Sequence, residues 1–230
     1  PRVQDMRAHV KKAADDGLNG VVGIHWRTAE IAANFEAFAH FAVNPVDDRG
    51  VETIYRDHCL HNYGVYAAKY LAPLLASNDT SKILSGIQSD VYFAYTPAWG
   101  RLTHQQVKAC NVLINTIDDC LLHEKGKDHL ANLTWLKANY EFTLLLDEVS
   151  RSMEPAWKIR EEILSGIAGQ QEEQDVSGAL ERLREAPIER LFTTYASRVR
   201  SRGELGVLSS LNQRIWREYG LLNDFLQQLR

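Results

Sequence analysis

The chain lacks the runs and motifs that would assign it quickly. No stretch of about 18 apolar residues occurs, so nothing in the sequence is suited to spanning a bilayer as a helix. The first residues, Pro1-Arg2-Val3-Gln4-Asp5, do not resemble a signal peptide, and the compartment is left open between cytoplasm and periplasm. There are three cysteines, Cys59, Cys110 and Cys120, too few for a disulfide framework. Cys110 and Cys120 lie ten residues apart on one expected helix, roughly 15 Å along its axis, beyond the reach of a bridge. All three are expected as buried thiols acting as small hydrophobes. No CxxC or HExxH spacing is present, so no metal or other cofactor is expected. A Ser-His-Asp order, a Walker loop and a dinucleotide glycine fingerprint are also absent. A net charge of −4 and a pI near 6.1 give no basis for a nucleic-acid or anionic-membrane partner.

What is present is ordinary globular composition, 45% hydrophobic and 24% charged, enough for a substantial core. Val3 to Asp16 reads as a helix capped by Gly17. Then Asn19-Gly20-Val21-Val22-Gly23-Ile24-His25-Trp26, short, β-branched and bounded by glycine, reads as a buried strand. A helix over Glu30 to Val43 follows, with Phe35, Phe38, Ala39 and Ala42 on its expected inner face, and Asn44-Pro45 stops it.

Beyond Pro45 the pattern is helical. Expected segments are Val51 to Asn62, Val65 to Ala76, His104 to His123, Asp128 to Ser152 and Pro155 to about Gly166. A polar, solvated helix is expected over Gln171 to Glu185, and another helix over Ile188 to Val199. The last runs from Gly203 or Glu204 to the end, with the stripe Leu205, Leu208, Leu211, Ile215, Tyr219, Leu222, Leu226 and Leu229. Gln88 to Thr103 reads as an irregular aromatic stretch carrying Tyr92, Phe93, Tyr95, Pro97 and Trp99.

One strand cannot satisfy its own backbone N–H and C=O groups. Val91 to Tyr95 is a poor second strand. The order helix, glycine-bounded turn, strand, loop, helix is that of a parallel β/α unit. The expected fold is therefore mainly α: a helical bundle, residues 46–230, preceded by a β/α unit, residues 1–45. That unit is expected to belong to a (β/α)8 barrel completed outside this chain, by the rest of the same protein or by a partner chain; the alternative is a small extended stretch packed on a helical domain. In such a barrel the carboxy-terminal strand end faces the active site. Here it carries His25, Trp26 and Arg27, followed by Glu30 and Asn34. An indole stacks on the apolar face of a pyranose, and a guanidinium offers a planar fork of donors. The alternatives are a Trp that plugs the barrel end and an Arg paired to a nearby acid. Trp99, with its neighbouring aromatics, is a further candidate sugar contact or core plug.

Gly20-Val21-Val22-Gly23-Ile24-His25-Trp26-Arg27, then Ala33-Asn34-Phe35-Glu36-Ala37-Phe38-Ala39 and Val43-Asn44-Pro45, resemble the last barrel strand and following helix of α-glucuronidase-like and hexosaminidase-like bacterial glycoside hydrolases. The resemblance covers about a fifth of the chain. It implies carbohydrate as substrate, with the two catalytic carboxylates of such enzymes mostly on earlier strands that this chain lacks. Glu30 is the one carboxylate here placed for catalysis, and its position also suits stabilising the start of the next helix. Arg202 to Trp216 resembles runs in uncharacterised bacterial carbohydrate-active proteins, with Asn212, Gln213 and Trp216 as groove candidates. His58 and His61 share a helix face without a third ligand of clear spacing. The rival to a glycoside hydrolase component is a non-catalytic helical interaction or scaffold module, and a homodimer is compatible with either.

Overall fold

A computed structural model of the chain describes residues 3–23, 32–77, 99–166 and 173–230. The described residues are mainly helical and contain no β-strand. They divide into two compact units, Pro1–Ser85 with Lys108–Lys137, and Gly86–Val107 with Ala138–Arg230.

In the first unit, α1 spans Val3–Asp15 and is stopped as expected. Gly17 adopts φ +73°, Leu18 N–H donates to Ala13 O and Gly17 N–H to Ala14 O. This double closure satisfies carbonyls that a helix end leaves open. The chain then runs through Asn19 to Gly23 without helix or ladder. The expected strand is thus not formed over its described part; Ile24 to Trp26 lie outside the described residues, as does Val91 to Tyr95.

Helix α2, Ala32–Val43, packs against α1 and against α3, Val51–Tyr63. Its buried face is Ala33, Ala37 and Phe41, not Phe35, Phe38, Ala39 and Ala42 as the spacing suggested. Ala39 and Ala42 are exposed. Two small residues let the neighbouring backbone approach, and only the large Phe41 fills the seam. The other two aromatics have a different task. Phe35 and Phe38 meet edge to face at 6.4 Å, and Phe38 lies so close over Gly23 that a Cβ there would sit 3.0 Å from its ring.

Helix α3 buries Ile54, Tyr55, His58, Cys59 and Tyr63. Gly64 ends it at φ +92°, ψ 178°, a backbone region open essentially to glycine alone. The single helix expected over Val65 to Ala76 is two, α4 (Val65–Tyr70) and α5 (Ala72–Ala76). The break at Leu71 precedes Pro73, which has no N–H to give the preceding turn. Helix α6, His104–His123, contributes Cys110, Leu113, Ile117 and Cys120 to this unit's core, so Cys110 and Cys120 are buried as expected.

Helix α7 runs unbroken over 38 residues, Lys127–Leu164, with Pro155 inside it. A stop at Ser152 was expected because an interior proline costs about 3 kcal/mol. The flanking Met153 and Ala156 are fully buried in the second unit, and burying a Met side chain alone returns about 1.5–3 kcal/mol. Packing outweighs the local preference.

The second unit's core also takes Tyr140, Phe142, Leu146 and Val149 from α7. Helix α8, Glu173–Arg184, is not merely a solvated face: Val176, Ala179, Leu180 and Leu183 are buried at helical spacing, and it packs on α11, Arg217–Gln228. Helix α9, Ile188–Ser197, buries Ile188, Leu191 and Tyr195. Helix α10, Arg202–Leu211, opens with a reciprocal cap: Ser201 Oγ accepts from Glu204 N–H at 3.3 Å, and Glu204 Oε2 accepts from Arg200 N–H at 2.8 Å. The continuous last helix of the sequence reading is interrupted by a π turn, Asn212–Trp216, in which Arg217 N–H donates to Asn212 O. Leu211, Ile215, Leu222 and Leu226 stay buried, whereas Leu205 and Leu229 of the expected stripe are exposed.

Candidate functional site

The sequence pointed to the entry into α2. Of its candidates, His25, Trp26, Arg27 and Glu30 lie outside the described residues. Asn34 is in the first turns of α2, half-buried, and its Oδ1 is buried without a hydrogen-bond partner. Such an oxygen is costly to leave unmatched and marks a place where a donor would be accommodated. Trp99 belongs to the second unit, 1% exposed, and offers no open ring face to a ligand. Tyr92 and Tyr95 lie outside the described residues.

Glu36, two residues beyond Asn34, belongs to a polar cluster on the α2–α3 seam. Glu36 Oε2 accepts from His58 Nδ1 at 2.7 Å. Asn62 Nδ2 donates to Glu36 Oε1 at 3.4 Å and to His58 O at 3.0 Å. His58 and Asn62 share a face of α3 because they are four residues apart. His58 is only 6% exposed, while Glu36 reaches solvent. Burial by itself would raise the Glu36 pKa; the His58 hydrogen bond and charge and the Asn62 amide overcome it and hold the carboxyl below its ordinary value. The Tyr63 ring meets His58 edge-on at 5.6 Å.

Spacing alone pairs His58 with His61 and gives no sign of Glu36 and Asn62. In the structure the two histidines part. His61 is exposed, and its carbonyl accepts from His129 Nε2 at 3.1 Å. Among the described residues, no group of three His, Cys, Asp or Glu is placed to hold a metal ion. Cys59, the residue after His58, is buried, and desolvation, reinforced by Cys120 and Glu36, pushes its thiol up to about 12. Cys120 rises to about 11, chiefly by burial. Thiols so far from ionisation are poor nucleophiles and metal ligands. Asp118, adjacent to Asp119, pairs with Lys137 at 2.6 Å, and His123 stacks on Tyr66 at 4.4 Å.

The seam is held at its α2 end by a second set. Asp47 accepts from Arg49 N–H at 2.8 Å, from Arg49 Nε at 2.8 Å and from His40 Nε2. The Arg49 amide and the His40 ring are the leading causes that bring the Asp47 carboxyl down to about 2. Arg49 also reaches Asp57 of α3 at 3.0 Å. These contacts fix how α2 meets α3. They place Asn34, Glu36 and His58 on helices of set register.

No protein-family model, curated protein or solved structure matches the chain.

Proposed function

We propose that the chain is the helical part of a bacterial glycoside hydrolase, joined to a (β/α)8 barrel whose last β/α unit it supplies. The observation that carries this reading is the backbone between α1 and α2. Among the described residues, Gly20 to Gly23 form neither helix nor ladder, and no backbone hydrogen bond ties them to another described residue. Val22 is 88% exposed. An apolar, β-branched segment of this kind gains most by pairing with a strand, and the described helices offer none. The strand's neighbours would come from the rest of the same protein or from a partner chain. Phe38 over Gly23 supports the arrangement, since a crossover helix lays side chains on the strand it accompanies.

In this reading His25, Trp26 and Arg27 leave the strand end toward a sugar, and Asn34 offers its unmatched Oδ1 to a ligand hydroxyl or a neighbouring N–H. The Glu36–His58–Asn62 cluster sits behind them as a brace between α2 and α3. In this reading the acid and base lie on the barrel, and Glu30 is the one carboxylate of this chain that the sequence offers as a catalytic candidate. The test is hydrolysis of an aryl-glycoside panel by the barrel-bearing protein. Substituting Trp26→Ala or Arg27→Ala lowers kcat/KM by about two orders of magnitude, as loss of a stacked ring or bidentate contact does, while Trp99→Phe does not. Absence of turnover on every glycoside, or unchanged turnover in both variants, removes the reading.

The rival, a helical interaction module, has its own support in the second unit. Trp216 is 43% exposed on the π turn, with Phe192 meeting its ring edge-on at 5.3 Å, and Leu205 and Leu221 are also exposed. Sedimentation separates the two. A module that works by self-association dimerises at micromolar concentration and becomes monomeric with Trp216→Asp, with no dependence on sugar.

A further inference from the structure

We draw no further inference here: the strongest candidate, the surface patch on the first unit where Tyr66 stacks on His123 and meets Tyr70 at a tilt beside the exposed Leu122, is an unpartnered face, and nothing in the structure shows what covers it.

Discussion

Replacing Gly64 with alanine probes the joint between α3 and α4 of the first unit. Gly64 ends α3 at φ +92°, ψ 178°, and an L residue held there costs about 1–3 kcal/mol in backbone strain alone. The added Cβ would also stand 1.7 Å from Glu124 Oε2 and 3.2 Å from His129 Nδ1. Glu124 cannot simply swing away. Its Oε1 accepts from Lys125 N–H at 2.8 Å and Gly126 N–H at 2.7 Å, and these two bonds form the turn between α6 and α7. Giving up charge-assisted bonds of this type costs about 1.5–3 kcal/mol. The two effects together destabilise by about 3–5 kcal/mol, a large share of the 5–15 kcal/mol typical of a domain. With a urea m-value of about 2 kcal/mol/M, the midpoint falls by about 2 M. The cycle with Glu124→Ala separates the parts. That substitution relieves the clash but not the backbone strain, so the double variant is more stable than additivity predicts by about 1 kcal/mol or more. A loss below about 1 kcal/mol for Gly64→Ala would refute the glycine conformation, and strict additivity in the cycle would refute the carboxylate position.

Other expectations follow from the same contacts. Glu36 has a lowered pKa when folded, so its contribution is complete above its ordinary value near 4.5 and is lost as pH falls through the folded value. Glu36→Gln therefore flattens the stability profile on the acid side, with little change in its slope above pH 6, measured by urea titration at several pH values. Asp47, lowered from 3.8 to about 2, follows the same sign, and Asp47→Asn removes an acid-limb loss between about pH 4 and 2. Asp147→Ala strips the acceptor from the buried Leu102 N–H, 2.9 Å away, and from Arg151 Nε, 2.8 Å away. It should cost about 2–3 kcal/mol by denaturation, more than Thr193→Ala, whose exposed hydroxyl bonds only its own helix. The three thiols, all buried, label with a disulfide reagent only at the rate of unfolding; fast labelling of Cys59 or Cys120 in native buffer would contradict their burial.

The sequence pattern was most informative where one physical cause dominates. Gly17 stopped α1, Asn44-Pro45 stopped α2, and Cys59, Cys110 and Cys120 are buried thiols as expected. It was least informative where packing competes with local preference. Pro155 reads as a break, yet the buried Met153 and Ala156 keep α7 continuous. The Glu-rich start of α8 reads as solvated, yet Val176, Ala179, Leu180 and Leu183 form a buried row behind it. The π turn leaves no compositional mark, so a helix that reads as continuous is interrupted at Asn212–Trp216. On α2 the obvious aromatic face was read as the core face, whereas the close seam with its neighbours is made by alanines and Phe41. The polar cluster was hidden for a related reason. Glu36 and His58 are 22 residues apart and pair only once two helices pack, so no local spacing announces them.

The account rests most heavily on the segment between α1 and α2 belonging to a sheet completed elsewhere, with a sugar at its end. The most direct measurement is amide hydrogen exchange at Val21 to His25, in this chain alone and in the barrel-bearing protein, with and without a hydrolysable glycoside. The account predicts fast exchange in the isolated chain, strong protection once the barrel is present, and added protection at His25 to Arg27 with the sugar. Equal and strong protection in the isolated chain, or no protection in the longer protein, would contradict it.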